Sequence, residues 1–175
     1  GSLDRLAIVG SSGMGALTYR PVISLADTME EKRLDEIAVE CERILNTETY
    51  DNLDYLFAKG GYSGGARPKI LTKVDGEDWI IKFPSSDDSQ DIGKQEYDYA
   101  ICAKECGLDI EEVRLFPSER TQGYFGTRRF DRINSEENGK IHMVSASGLL
   151  ETSHRIPNID YDILMKLTIQ LTKSM

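Results

Sequence analysis

Cationic side chains are the scarce ingredient of this sequence. There are 21 lysines and arginines against 30 aspartates and glutamates, a formal net charge of −9 and a pI near 4.8. Such a surface repels nucleic acid and anionic membrane, which speaks against direct DNA binding, although net charge says little about a single local pocket. Cysteine is also rare. Cys41, Cys102 and Cys106 form no zinc pattern, since the pair at i, i+4 lacks two further ligands nearby. All three read as buried small hydrophobes in a reducing compartment. No signal peptide and no apolar run of membrane-spanning length is evident, so the expected location is the cytoplasm, without membrane association. Repeats and low-complexity tracts are absent too. What is present is ordinary globular material: 39% hydrophobic and 29% charged residues in 175, enough for one cored domain, or one domain with a small attachment.

Local patterns divide the chain into elements. "GSSGMGALTYRP" reads as a glycine-rich loop running into a short strand that ends at Pro21. Leu34, Ile37, Ala38, Cys41, Ile44 and Leu45 recur at helical spacing, which predicts an amphipathic helix over 31–45. A second short helix is expected over about 52–58. Residues 70–74 read as a strand, Asp75-Gly76 as a two-residue hairpin turn, and 79–83 as the returning strand. A helix over about 92–106 closes at Gly107, in the position that favours glycine after a last turn. Residues 113–116 and 124–130 read as two more strands. "NSEENGK" is a hairpin tip, after which 141–144 continues the sheet. Ser145 caps a short helix and Asp160 starts the last one.

The order of these elements carries the functional argument. "GGYSGGARPK" at 60–69 concentrates four glycines beside two cations. Glycines let backbone N–H groups approach a phosphate closely. The next hairpin carries Lys82, a point charge suited to phosphate, and the following helix carries Glu96, able to hold that lysine in place. Each feature alone has a plainer reading. The glycines suit a connector, Lys82 between Ile81 and Phe83 suits a solvated strand face, and Glu96 among Lys94, Gln95 and Asp98 suits a wet helix surface. Their joint order favours a nucleotide.

The segments "SGGARPK", "WIIKFPS", "EYDYAICAKECGLDI", "RRFDR" and "GKIHMVSASGLL" together resemble the HipA family of bacterial toxin kinases, over about 60–150. The resemblance implies an α+β fold: a protein-kinase-like N-lobe with a mostly antiparallel sheet, a helical N-terminal attachment and a C-terminal helix leading toward a C-lobe. In those terms 1–58 is the end of an N-terminal subdomain plus a helical segment, 59–156 the nucleotide-binding lobe, and 157–175 the start of the C-lobe.

The resemblance further implies a serine/threonine kinase that uses ATP and Mg2+. Such kinases are toxins of toxin–antitoxin pairs, bound by a HipB-like helix-turn-helix antitoxin and tethered to DNA only through it. Known members phosphorylate aminoacyl-tRNA synthetases. By position, Lys82 matches the phosphate-contacting lysine and Glu96 the helix acid beside it. Gly61, Ser63, Gly64, Gly65 and Ala66 match the phosphate loop, with Ser63 as its autophosphorylated serine and Lys69 as a further cation. Arg128, Arg129 and Phe130 match the hinge against which adenine packs. The family's catalytic aspartate, its asparagine and its metal-binding aspartate lie beyond the helix that starts near Asp160. The expectation is therefore a chain without catalytic or metal-ligating residues of its own, inactive alone. A non-catalytic interaction module, and a different small-molecule kinase using the same lobe, remain as alternatives. Asp131 and His142 read as structural, and Trp79 as packing the sheet against a helix.

Overall fold

The computed structural model describes residues 2–22, 34–46, 67–133, 139–152 and 159–173. The glycine loop at 60–66 and the helix expected at 52–58 lie outside the described residues. The chain divides into two compact units, 1–141 and 142–175.

The first unit is built on a four-stranded antiparallel sheet. Its strands are β1 (Lys69–Val74), β2 (Glu77–Lys82), β3 (Val113–Phe116) and β4 (Tyr124–Arg128), in the order β1-β2-β4-β3. With helices segregated around an antiparallel sheet, the class is α+β, as expected. The first hairpin turns at Asp75 and Gly76, whose φ angles of 53° and 84° give the left-handed pair that a two-residue turn needs. That turn sets the register Ile70↔Ile81 and Lys69↔Lys82.

Each face of the sheet has its own helix. Helix α2 (Leu34–Asn46) sends Ile37, Ala38 and Cys41 into a cluster with Ile70, Ile81, Phe83 and Tyr124. Phe83 meets Tyr124 edge to face at 5.0 Å. The Asp35 carboxylate, in the first turn of α2, accepts from the Tyr124 hydroxyl at 2.8 Å and from Ser118 Oγ at 2.7 Å, fixing the helix to the β3–β4 connection. Helix α3 (Ile92–Glu105) packs against β3 and β4. A Cβ on Gly93 would stand 2.2 Å from the Gly123 carbonyl oxygen, so glycine permits that approach. The end of α3 closes as the sequence predicts: Gly107 N–H donates to the Lys104 carbonyl and Leu108 N–H to the Ala103 carbonyl, with Gly107 at φ 85°.

Several expectations need correction. Residues 16–19 form no strand; the N-terminal segment instead begins with helix α1 (Ser2–Val9). Beyond β4 the chain makes a separate two-stranded sheet from β5 (Arg132–Ile133) and β6 (Gly139–Lys140), and 141–144 are not strand. The last bond at that ladder is Ile141 N–H to the Asp131 carbonyl, after which the chain leaves. Cys41 is buried, but Cys102 and Cys106 are exposed. Gly93, Glu96, Tyr97, Ala100 and Ile101 are at least partly covered, whereas Tyr99, Cys102 and Cys106 are exposed. Trp79 is fully buried, with Phe116 edge-on at 5.7 Å and the Arg114 guanidinium 4.6 Å above its ring.

In the second unit, α4 (Ala146–Leu149) is capped by Ser145, whose Oγ accepts from Gly148 N–H. Helix α5 (Tyr161–Thr172) is capped by Asp160, whose carboxylate accepts from Ile163 N–H at 2.9 Å. His142 is exposed here. Among the described residues, no helix is long and apolar enough to cross a membrane.

Candidate functional site

Successive side chains on a strand alternate between faces, so Phe125 stands on the opposite face from Tyr124 and α2. Lys82 shares the Phe125 face: its Nζ lies 5.2 Å from the Phe125 ring centroid. From α3, Glu96 reaches the same point, and Lys82 Nζ donates to Glu96 Oε1. Both side chains remain about a third exposed, at 31% and 32%, so the pair is formed at the mouth of the sheet and open to solvent. Each side chain is thus half-covered and paired with the other. An ammonium has three N–H donors, and Glu96 takes one, leaving donors for an incoming oxyanion.

Lys69 enters the same site because it sits directly opposite Lys82 in the register. Its pKa is lowered, first by burial and then by the Lys82 charge, with Glu96 partly opposing both. One residue pair upstream, Arg67 makes a forked bond to Asp88, from Nε at 2.7 Å and from Nη2 at 2.8 Å. Asp88 also accepts from the Ser85 backbone N–H and hydroxyl, both at 2.8 Å. These donors, Arg67 first, hold its carboxyl well below the usual carboxylate range. The fork ties the residue entering β1, the strand paired with that of Lys82, to the loop that runs from Lys82 into α3 and Glu96. Arg67, Lys69 and Lys82 gather here with Asp88 and Glu96 in a chain of net charge −9. That pattern suits an anion with several oxygens.

The "RRFDR" segment is organised differently. Arg128 pairs on the surface with Glu111 at 3.1 Å and Glu77 at 3.3 Å. Arg129 and Asp131 are buried, 3% and 0% exposed. Asp131 accepts from Arg129 Nε and Nη2, from Arg132 Nη1 and from the backbone N–H of Gly15. Between these two buried residues, Phe130 is 52% exposed.

A scan against family models matches residues 62–175 to the HipA-like C-terminal domain. That span takes in more than half of the chain.

The chain belongs to the HipA-like C-terminal domain family.

No curated protein and no solved structure gives a significant match. The HipA-like span begins just after α2, so the helix that closes one face of the sheet lies outside it.

Of the residues that the sequence singles out, Lys69, Lys82 and Glu96 are brought into one site, and Arg128 ends β4 with Arg129 and Phe130 directly after it. Gly61, Ser63, Gly64, Gly65 and Ala66 lie outside the described residues. Sequence reasoning passed over Phe125, Asp88 and Gly93, and read Arg67 only as a loop cation. Phe125 was findable, because it alternates with a buried tyrosine and falls in the register row of Lys82. The Arg67–Asp88 fork had no sequence signal beyond a polar loop. Among the described residues, no group of three or more His, Cys, Asp or Glu is placed to hold a metal ion.

Proposed function

We propose that this HipA-like chain is the nucleotide-binding part of a serine/threonine protein kinase, and that Lys82 is the cation that meets the phosphates of ATP. The observation that carries this reading is the Lys82–Glu96 ion pair. A lysine on a strand, held by a glutamate from the next helix, is the arrangement that positions nucleotide phosphates in protein kinases. The element order supports the same reading: hairpin, lysine, helix, glutamate, then two antiparallel strands.

The site fits a triphosphate in its donor set, with Lys82 and Lys69 side by side across a strand pair. Bound ATP supplies the transferable phosphoryl group, with Mg2+ neutralising its charge. The chain's part is to hold and orient it. Glu96 keeps the Lys82 ammonium in place, Phe125 closes one side of it, and the Arg67–Asp88 fork fixes the strand and loop around it. Phe130 offers an exposed ring for a base, on a backbone held from both sides. On this reading the acceptor is a protein hydroxyl, an aminoacyl-tRNA synthetase being the family's precedent. The partner is a helix-turn-helix antitoxin, DNA is met only through it, and the setting is the cytoplasm.

Calorimetric titration of the chain with ATP and magnesium tests the reading. Saturable binding in the millimolar range or tighter is expected, weakened about tenfold or more, ~1.4 kcal/mol, by Lys82→Ala. An absence of saturable binding, or equal affinity in the variant, would overturn it.

A further inference from the structure

The buried cluster beside Phe130 does more than fill the core. Arg129 and Arg132, both less than a tenth exposed, share the single carboxylate of Asp131. Both also donate to an N-terminal loop more than a hundred residues away in sequence. Arg129 Nη1 donates to the Ser12 carbonyl at 3.0 Å and Nη2 to the Gly13 carbonyl at 2.9 Å. Arg132 donates to the Gly13 and Gly15 carbonyls at 2.7 and 3.2 Å. Gly15 returns its own N–H to Asp131 at 2.6 Å. Lys140 adds an outer tether, donating to the Ser11 carbonyl at 2.6 Å and to Thr18 Oγ1 at 3.2 Å.

Two guanidinium groups on one carboxylate leave a buried positive charge that the loop's carbonyl dipoles offset, with the Asp78 carboxylate adding to them at Arg132. Arg129 and Arg132 therefore keep these positions only while the loop is seated. Arg129 also leaves β4 through its backbone N–H, which donates to the Asp78 carbonyl at 2.8 Å. The backbone at 129–131 is thus held by the sheet on one side and by the N-terminal loop on the other. Phe130 lies at its midpoint. The loop falls outside the HipA-like span, which begins at residue 62.

The geometry points to a coupling: Asp131 is a positioning residue through which the N-terminal loop at 12–15 sets the affinity of the nucleotide site. This rests on the nucleotide reading above. Seating the loop orders the segment that meets the base; unseating it leaves that segment to be ordered at the moment of binding, and affinity falls. By linkage, anything that draws the loop away weakens nucleotide binding, and nucleotide in turn holds the loop in place.

The test measures the dissociation constant for ADP with magnesium in the full chain and in two loop variants. Gly15→Pro removes the N–H that Asp131 accepts and, since Gly15 sits at φ 73° where proline cannot follow, drives the loop backbone out of its seat as well. Lys140→Met cuts only the outer tether and preserves the buried cluster, so it remains informative if Gly15→Pro fails to fold. Affinity is referred to the folded fraction of each sample, which removes any effect of stability alone. The expected result is a rise in dissociation constant of about fivefold or more for Gly15→Pro and a smaller rise, about twofold, for Lys140→Met. Wild-type affinity in the folded variants would overturn the coupling while leaving the nucleotide reading intact. Wild-type chain that binds no nucleotide, tested alongside Lys82→Ala, would overturn the reading and the coupling with it.

Discussion

Replacing Asp131 by alanine gives the severest test of the packing described above. The carboxylate is fully buried and accepts four bonds: from Gly15 N at 2.6 Å, Arg129 Nη2 at 2.7 Å, Arg129 Nε at 2.8 Å and Arg132 Nη1 at 2.9 Å. Alanine removes all four and leaves two guanidinium charges in the interior without the carboxylate that bridges them. Removing one partner of a buried pair costs about 3–5 kcal/mol, against a total domain stability of about 5–15 kcal/mol. The midpoint of thermal unfolding should fall by about 6–20 °C at this chain length. Asp131→Asn keeps the shape but removes the same charge and turns an amide NH2 donor toward arginine donors, so it should cost as much, about 3–5 kcal/mol. The exposed Arg120–Glu42 pair provides the contrast, since breaking it should cost less than about 1 kcal/mol. Urea unfolding followed by fluorescence of Trp79, which lies under Arg114 in the same unit, reads all three.

The same carboxylate gives a pH dependence of known sign. Burial raises the Asp131 pKa, but the Arg129 bond, the Gly15 N–H and the two arginine charges outweigh burial, and the net shift is downward. A carboxyl whose folded pKa is depressed contributes stability that is present above its unfolded value of ~3.9 and lost as pH falls through the folded value. Asp35 and Asp88 shift the same way and add to the loss. Wild-type stability should therefore drop below about pH 4, and more shallowly in Asp131→Asn. An Asp131→Ala chain destabilised by less than about 1 kcal/mol would refute the argument that this cluster is a buried, mutually dependent set.

Two further outcomes follow from packing. Burial, with the Glu40 charge secondary, pushes the Cys41 thiol up to about 12, while Cys102 and Cys106 are exposed. A thiol reagent at pH 8 should label both exposed cysteines and spare Cys41 until denaturant is added, counted by intact mass; rapid labelling of Cys41 in the native chain would contradict its place in the core. Gly93→Ala would press a methyl to 2.2 Å from the Gly123 carbonyl and 3.1 Å from the Phe125 nitrogen. Helix α3 must then move off the sheet, at about 1–3 kcal/mol, and carry Glu96 away from Lys82. Nucleotide affinity should fall several-fold in the folded protein, and unchanged affinity would show that α3 does not set the position of Glu96.

The legible parts of this fold were those fixed by local chemistry. Asp75-Gly76 announced its hairpin because few residue pairs accept two left-handed φ angles in succession. Gly107, Ser145 and Asp160 marked helix ends because each satisfies backbone groups that a helix leaves open. Lys82 and Glu96 were legible as a pair because strand and helix patterns around them were clear, and pairing needed only their adjacency. What remained hidden depended on distant partners. Nothing local to "RRFDR" says that its aspartate will be filled by the N–H of Gly15, 116 residues earlier. Nor does a polar loop reveal that Asp88 will receive the fork of Arg67. The cysteines misled for a related reason. Spacing shows which residues share a helix face, but not which face the sheet will cover. On α3 the covered face is the one carrying Gly93 and Glu96.

The central claim is that Lys82, held by Glu96, stands beside the phosphates of a bound nucleotide. An ATP analogue with a reactive acyl phosphate transfers its acyl group to whichever lysine amine lies against the phosphates, and peptide mass spectrometry then locates the label. The expected result is acylation at Lys82, with Lys69 as the neighbouring target, suppressed by excess ATP and magnesium. Label spread over exposed lysines such as Lys73, Lys94 and Lys166, indifferent to ATP, would contradict it.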